Sequence, residues 1–119
     1  MALPPCHVVC QFYVENEKAL SCQMCQRSAD MGIGVPFNIA LLTRLIAHCC
    51  GLECGELIHV MGDYNIYLNH EKALREQLKR EPYEFPKLKI NTCSMDIDDF
   101  HLELVNYVSH KPIKMNMSI

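Results

Sequence analysis

A chain of 119 residues, half of them apolar, fits one domain spanning residues 1–119 with an ordinary packed core. A formal charge of −3 excludes a broad nucleic-acid-binding surface, so an anionic ligand must be held by a few local cations, Arg27 foremost. No stretch reaches the roughly 18 uninterrupted apolar residues of a membrane span, and Met1 to Val9 lacks the charged start and long apolar run of an export signal, so the chain reads as intracellular and its eight cysteines as reduced thiols.

The predicted elements follow in order. His7 to Val14 is rich in β-branched and aromatic residues, and Leu20 to Ser28 is a second extended run beyond the polar Glu15-Asn16-Glu17-Lys18 turn, which predicts an antiparallel hairpin. Gly32, Gly34 and Pro36 mark a loop. After it, Ile39, Leu42, Leu45, Ile46 and Cys49 keep helical spacing up to Gly51, which predicts a buried helix with a glycine stop. Glu56 to Asn69 returns to strand-like composition, with a break expected at Gly62-Asp63. His70 to Arg80 reads as a polar amphipathic helix ended by Pro82, and Lys87 to Ile90 and Phe100 to Val108 as short strands. The class is α+β, a mixed or antiparallel sheet packed against a buried helix, with no internal repeat or interdomain linker.

Several residues carry candidate chemistry. Leu3-Pro4-Pro5-Cys6-His7 places a cysteine directly after a stiff Pro-Pro element, which would hold the sulfur in one place. A thiolate is the attacking form of cysteine, and Arg27 and His7 are the nearby groups able to favour it. Taken alone, Cys6 reads first as a packed thiol at the mouth of an apolar strand, and the neighbouring blocks reverse that reading. Arg27 and Ser28 combine a planar cation with a hydroxyl, suited to a phosphate or to an ordinary strand-end surface. Asn38 carries donor and acceptor on one amide, able to read a complementary ligand edge or to cap the helix. Cys22-x-x-Cys25 and the cluster Cys49, Cys50 and Cys54 raise a zinc site, but residues three apart on a strand face opposite ways, so no metal is expected.

Three blocks, Leu3-Pro4-Pro5-Cys6-His7, Gln26-Arg27-Ser28-Ala29-Asp30 and Gly32 through Ala40, together resemble the active-site half of the thymidylate synthases. Pro86 to Ile90, Ile97-Asp98-Asp99-Phe100 and the tail Ile113 to Ile119 extend the resemblance along nearly the whole chain. It implies a partial thymidylate synthase fold and reductive methylation of deoxyuridylate (dUMP) to thymidylate, with methylenetetrahydrofolate as co-substrate. In that chemistry the cysteine adds to carbon 6 of uracil, the enolate attacks the methylene carbon, and the departing folate returns as hydride donor.

Carried over by position, Cys6 would be the nucleophile, with Asp30 and Asn38 as its catalytic partners. Substrate would be held by His7, Gln26, Arg27, Ser28, Ala29, Asp30, Asn38, Asn65 and Tyr67. Asn38 would select uracil over cytosine, accepting from the ring N–H and donating to the adjacent carbonyl, and Tyr67 would meet the deoxyribose hydroxyl. Folate would lie against Asp30, Ile33, Gly34 and Phe37 and be covered by Met117, Ser118 and Ile119. A homodimer, or association with a full-length subunit, and a cytoplasmic location are implied as well.

The resemblance also has departures. The family's catalytic glutamate, a catalytic tyrosine, folate-contacting aromatics and phosphate-binding arginines belong to a front half that these 119 residues do not include. Asn65 stands where the family has histidine. About three residues are lost between Asn38 and the helix body, which shortens a helix by about 4.5 Å and turns it by roughly 60°. A comparable loss falls between Phe100 and Ile113. These departures leave a second reading, a non-catalytic remnant that binds nucleotide or another subunit.

Overall fold

The computed structural model describes residues 6–32, 37–91 and 101–116, which fall into two compact units, Met1–Asn65 and Ile66–Ile119. In the first unit, strands β1 (His7–Glu15) and β2 (Ala19–Asp30) form the expected antiparallel hairpin. Lys18 N–H donates to Glu15 O at 2.9 Å across the turn, and Asn16 and Glu17 take φ of 50° and 58°. Two central residues at positive φ give the turn the twist that paired strands need. Val8 is the extra residue of a bulge, since His7 pairs with Gln26 and Val9 already with Cys25.

Helix α1 (Phe37–Cys49) crosses from β2 to β3 (Glu53–Asn65), which pairs parallel with β2. Parallel neighbours need such a crossover, and β2 thereby becomes the centre of a mixed β1-β2-β3 sheet. Its side chains alternate: Leu20, Cys22, Met24 and Gln26 are buried on the α1 side. Cys22, Met24 and Ile39 form the core, with Cys10 and Leu57 packed against it.

The helix ends as its sequence predicts. Gly51 sits at φ 66°, its N–H bonded to His48 O, while Leu52 N–H reaches back to Ala47 O at 2.8 Å. This paired closure satisfies two terminal carbonyls and needs the left-handed residue that glycine supplies. The buried face is rotated from the expected one: Ile39, Thr43 and Ala47 are buried, whereas Leu42 is 41% exposed. Thr43 fits because its hydroxyl donates to Ile39 O at 2.8 Å, and Ala47 is fully buried.

The break expected at Gly62-Asp63 does not occur, and β3 runs through it. Gly62 faces Arg27 across the ladder, where an added Cβ would stand 2.9 Å from the Arg27 carbonyl oxygen. The glycine marks close backbone approach rather than a turn.

In the second unit a single 3-10 turn (Leu68–His70) leads into α2 (Glu71–Gln77), followed by the antiparallel pair β4 (Lys87–Ile90) and β5 (Leu102–Val105). The helix stops three residues before the expected Arg80, because Lys79 and Arg80 N–H groups bond three residues back, to Glu76 and Gln77, and tighten the chain out of α geometry. The last strand is shorter than predicted, and Phe100 lies outside the described residues. Arg80 donates to Lys111 O at 2.6 Å, and His110 bonds Glu81 O and stacks on Tyr83 at 4.4 Å, which straps the C-terminal stretch to the segment after α2.

Gly62→Ala should lower stability by about 1 to 3 kcal/mol through overpacking. Urea unfolding will show this as a reduced midpoint with an unchanged slope, and an unshifted midpoint would mean that β2 and β3 can part without cost.

Candidate active site

Cys6 lies one residue before β1 and is half-buried, and its carbonyl accepts the Arg27 N–H at 3.0 Å. Hairpin register therefore places the candidate nucleophile beside the candidate phosphate-binding cation, and His7 opposite Gln26. His7 and Arg27 are exposed, Ser28 and Asp30 half-buried, and Ala29 buried. Such alternation along the end of β2 points successive side chains to opposite faces.

Gln26 organises this strand end. Its side chain is buried, its Nε2 donates to Ser28 O at 2.7 Å, and its Oε1 pairs with His59 Nε2 at 3.0 Å. An amide oxygen accepts, so His59 carries its proton on Nε2 in this contact. The pair ties β2 to β3 on the side facing α1. His59 was not singled out from the sequence; the signal that could have found it is a parallel register, which depends on knowing that α1 is a crossover.

The ends of the parallel strands come together next. Ser28, Ala29 and Asp30 pair with Asp63, Tyr64 and Asn65. Met31 N–H donates to Asn65 O at 3.1 Å, and the Asp30 carboxylate accepts Gly32 N–H at 2.8 Å. Asn65 donates from Nδ2 to Asp63 Oδ2 at 3.1 Å, so this asparagine already serves a neighbouring carboxylate. Asn38 is exposed in the first turn of α1, and its Oδ1 accepts the Ile39 N–H at 3.0 Å. It thus satisfies one of the helix's leading N–H groups, with its amide nitrogen left available at a helix end that favours negative charge.

Cys6, His7, Gln26 to Asp30, Asn38 and Asn65 all belong to the first unit, and Tyr67, 42% exposed, to the second. Ile33, Gly34, Met117, Ser118 and Ile119 lie outside the described residues, as does the side chain of Phe37.

The other thiols differ in kind. Cys22 is buried and Cys25, on the opposite strand face, is half-buried. Burial first, and then the neighbouring thiols of Cys22 and Cys25, push the Cys10 thiol above its ordinary value. Cys50 and Cys54 are exposed. Among the described residues no group of three or more His, Cys, Asp or Glu is placed to hold a metal ion.

Residues 1–119 match the thymidylate synthase family. The chain is 56% identical to the thymidylate synthase of Homo sapiens and 56% identical to that of Varicella-zoster virus (strain Dumas), over all of this chain and 40% and 41% of those proteins. It is 55% identical to the bifunctional dihydrofolate reductase-thymidylate synthase of Zea mays, over all of this chain and 24% of that protein. The chain thus spans about two fifths of the length of the single-function relatives it matches. These alignments run over 125 positions, six more than the chain has, so residues are missing within the matched region.

A raised thiol pKa keeps Cys10 protonated in the folded state. Its contribution to stability is full below the ordinary value near 9 and is lost as pH rises through the folded value. Brief alkylation at pH 8 with peptide mapping should label Cys50 and Cys54 well before Cys10 and Cys22. Equal labelling of half-buried Cys10 would contradict the raised pKa of its thiol.

Proposed function

The chain belongs to the thymidylate synthase family, and we propose that it carries the covalent half of that family's site, with Cys6 as the nucleophile that adds to carbon 6 of the uracil of dUMP. The observation that supports this most is the Cys6 carbonyl bonded to the Arg27 N–H at 3.0 Å. It sets sulfur-bearing and cation-bearing residues side by side at the strand ends where Ser28 and Asp30 also lie.

The roles follow from chemistry at these positions. Arg27 offers a planar fork of N–H donors and Ser28 a hydroxyl for the nucleotide phosphate. Gln26, locked between Ser28 O and His59, fixes the strand end from which both project. Asn38, with one oxygen committed to the Ile39 N–H, presents its amide nitrogen to the uracil carbonyl and a second lone pair of the oxygen to the ring N–H. Addition of the Cys6 thiolate to carbon 6 moves an electron pair to carbon 5 and its enolate oxygen, where the donated amide hydrogen bond stabilises the charge. Carbon 5 then attacks the methylene carbon of methylenetetrahydrofolate, whose pterin Asp30 would hold. Loss of the carbon 5 proton expels tetrahydrofolate, and hydride return gives thymidylate and releases Cys6. The Asp30 carboxylate also accepts the Gly32 N–H, which fixes it at the end of β2. The same proposal has Tyr67 meeting the deoxyribose hydroxyl in a cytoplasmic enzyme.

The second reading, a subunit-interaction module, has its own observation. On the sheet face turned away from α1, Val9, Tyr13, Ile58 and Val60 are 53%, 67%, 45% and 44% exposed. By register all four lie on the side of Ser21, Gln23 and Cys25, and an apolar sheet face of this kind is suited to a second sheet. A second copy of the chain, or a full-length thymidylate synthase subunit, is the proposed occupant.

Incubation with 5-fluorodeoxyuridylate and methylenetetrahydrofolate, followed by intact-mass measurement, tests the first reading, because fluorine at carbon 5 blocks the proton loss that completes the reaction. An added mass equal to both ligands, absent in Cys6→Ala, is the expected result, and an unmodified mass from folded protein rejects autonomous chemistry. Sedimentation tests the second: Ile58→Lys should shift the chain to monomer by burying a charge in the interface. A sedimentation coefficient that Ile58→Lys does not change would remove the sheet face from consideration.

A further inference from the structure

His70 is a fully buried histidine, 0% exposed, at the end of the 3-10 turn that begins one residue after Tyr67. Taking an imidazole out of water is costly unless its nitrogens are served. Its Nε2 lies 2.6 Å from the carbonyl oxygen of Asn116, near the end of the described chain. A carbonyl can only accept, so Nε2 carries the proton. Asn69 donates to the same oxygen from Nδ2 at 3.4 Å. On its other side the His70 ring stands edge-on to Tyr67, with centroids 5.8 Å apart and planes at 81°, and His70 N–H closes the turn onto Tyr67 O at 2.9 Å. One buried ring therefore touches both the half-exposed tyrosine and the C-terminal stretch, and an interaction shared in this way couples its two ends reciprocally.

We propose that His70 is a positioning residue that sets the ring of Tyr67 for its contact with the nucleotide sugar and ties it to the C-terminal segment at Asn116, so that loosening either end loosens the other. The identity of the ligand rests on the nucleotide reading of Tyr67 given above; the tie to Asn116 does not. An edge-to-face contact restricts rotation of the tyrosine ring, and this preorganises a side chain that would otherwise lose rotamer freedom on binding.

The test compares the full chain with His70→Leu and His70→Gln by hydrogen exchange and by calorimetric titration with dUMP. Glutamine can present an amide N–H near the place of Nε2, and leucine cannot. His70→Leu should speed exchange in the peptide covering residues 111–116 by about tenfold, the effect of one buried hydrogen bond lost, and weaken dUMP binding several-fold, with β2 exchange unchanged. His70→Gln should recover most of both. Wild-type values in His70→Leu overturn the proposal, as does loss of protection throughout the second unit that His70→Gln fails to recover. Should His70→Leu not fold, nitrogen-15 spectra of the wild-type ring decide: the Nε2–H tautomer upholds the tie and the Nδ1–H tautomer sinks it. A tail released by His70→Leu in a chain that never binds dUMP upholds the tie and refutes the nucleotide reading, so the two failures are distinguishable.

Discussion

The central strand β2 must satisfy its backbone groups on both edges at once, antiparallel to β1 and parallel to β3. Each edge has a different consequence. The antiparallel edge delivers Cys6 to Arg27, and the parallel edge delivers Asp63 and Asn65 to Ser28 and Asp30. Neither register can slip by one residue without moving Leu20, Cys22 and Met24 off the α1 side, because strand side chains alternate faces. The positions of the candidate site residues thus depend on a small apolar core several residues away. Gln26 extends that dependence into polar territory, since it continues the buried row of β2 and at the same time anchors Ser28 and His59.

Legibility divided along lines of local and non-local information. The hairpin was readable because β-branched runs flank a polar turn, and α1 because its apolar spacing ends at a glycine whose positive φ closes the helix. The site blocks were readable because Cys6, Arg27, Ser28 and Asn38 keep a recognisable order and spacing along the chain. Gly62 was misread because a glycine in a strand signals either a turn or close approach, and which one holds is decided by the carbonyl of Arg27 on another strand. The buried face of α1 was misjudged for a related reason. Hydrophobicity favours Leu42, but the sheet accepts the smaller Ala47 and a threonine whose hydroxyl is satisfied within the helix. His59 and His70 were invisible for want of partners: the value of each lies in an acceptor tens of residues away.

The cysteines illustrate how one residue type is sorted by place. Eight thiols in a short chain suggest disulfides or metal by number alone. Among the described residues the fold separates the thiols by face and depth. Cys22 serves as core volume beside Met24, Cys10 is held protonated by burial and its neighbours, and Cys50 and Cys54 lie in the open. Cys6 stands apart because it precedes β1, where the backbone is already engaged by Arg27 through its carbonyl and the side chain sits at the edge of the sheet. The nucleophile role proposed for Cys6 needs a fixed backbone, and the carbonyl bond to Arg27 N–H supplies one.

The residues missing within the matched region bear unequally on fold and chemistry. Helix α1 is fixed at its C-terminal end, where Gly51 and Leu52 close back on His48 and Ala47 and the chain turns directly into β3. Its middle is fixed by Ile39, Thr43 and Ala47 against the sheet. A helix anchored at its far end and along its buried face would absorb the loss of about one turn expected at its start, at roughly 1.5 Å per residue, without disturbing the strand order. The cost would fall on what the start carries. That is Asn38, whose oxygen here is already engaged by the neighbouring Ile39 N–H. A shortening at that place would leave Cys6 and Arg27 in register and bear on the base recognition proposed for Asn38, so the proposed covalent and recognition roles would respond to it separately.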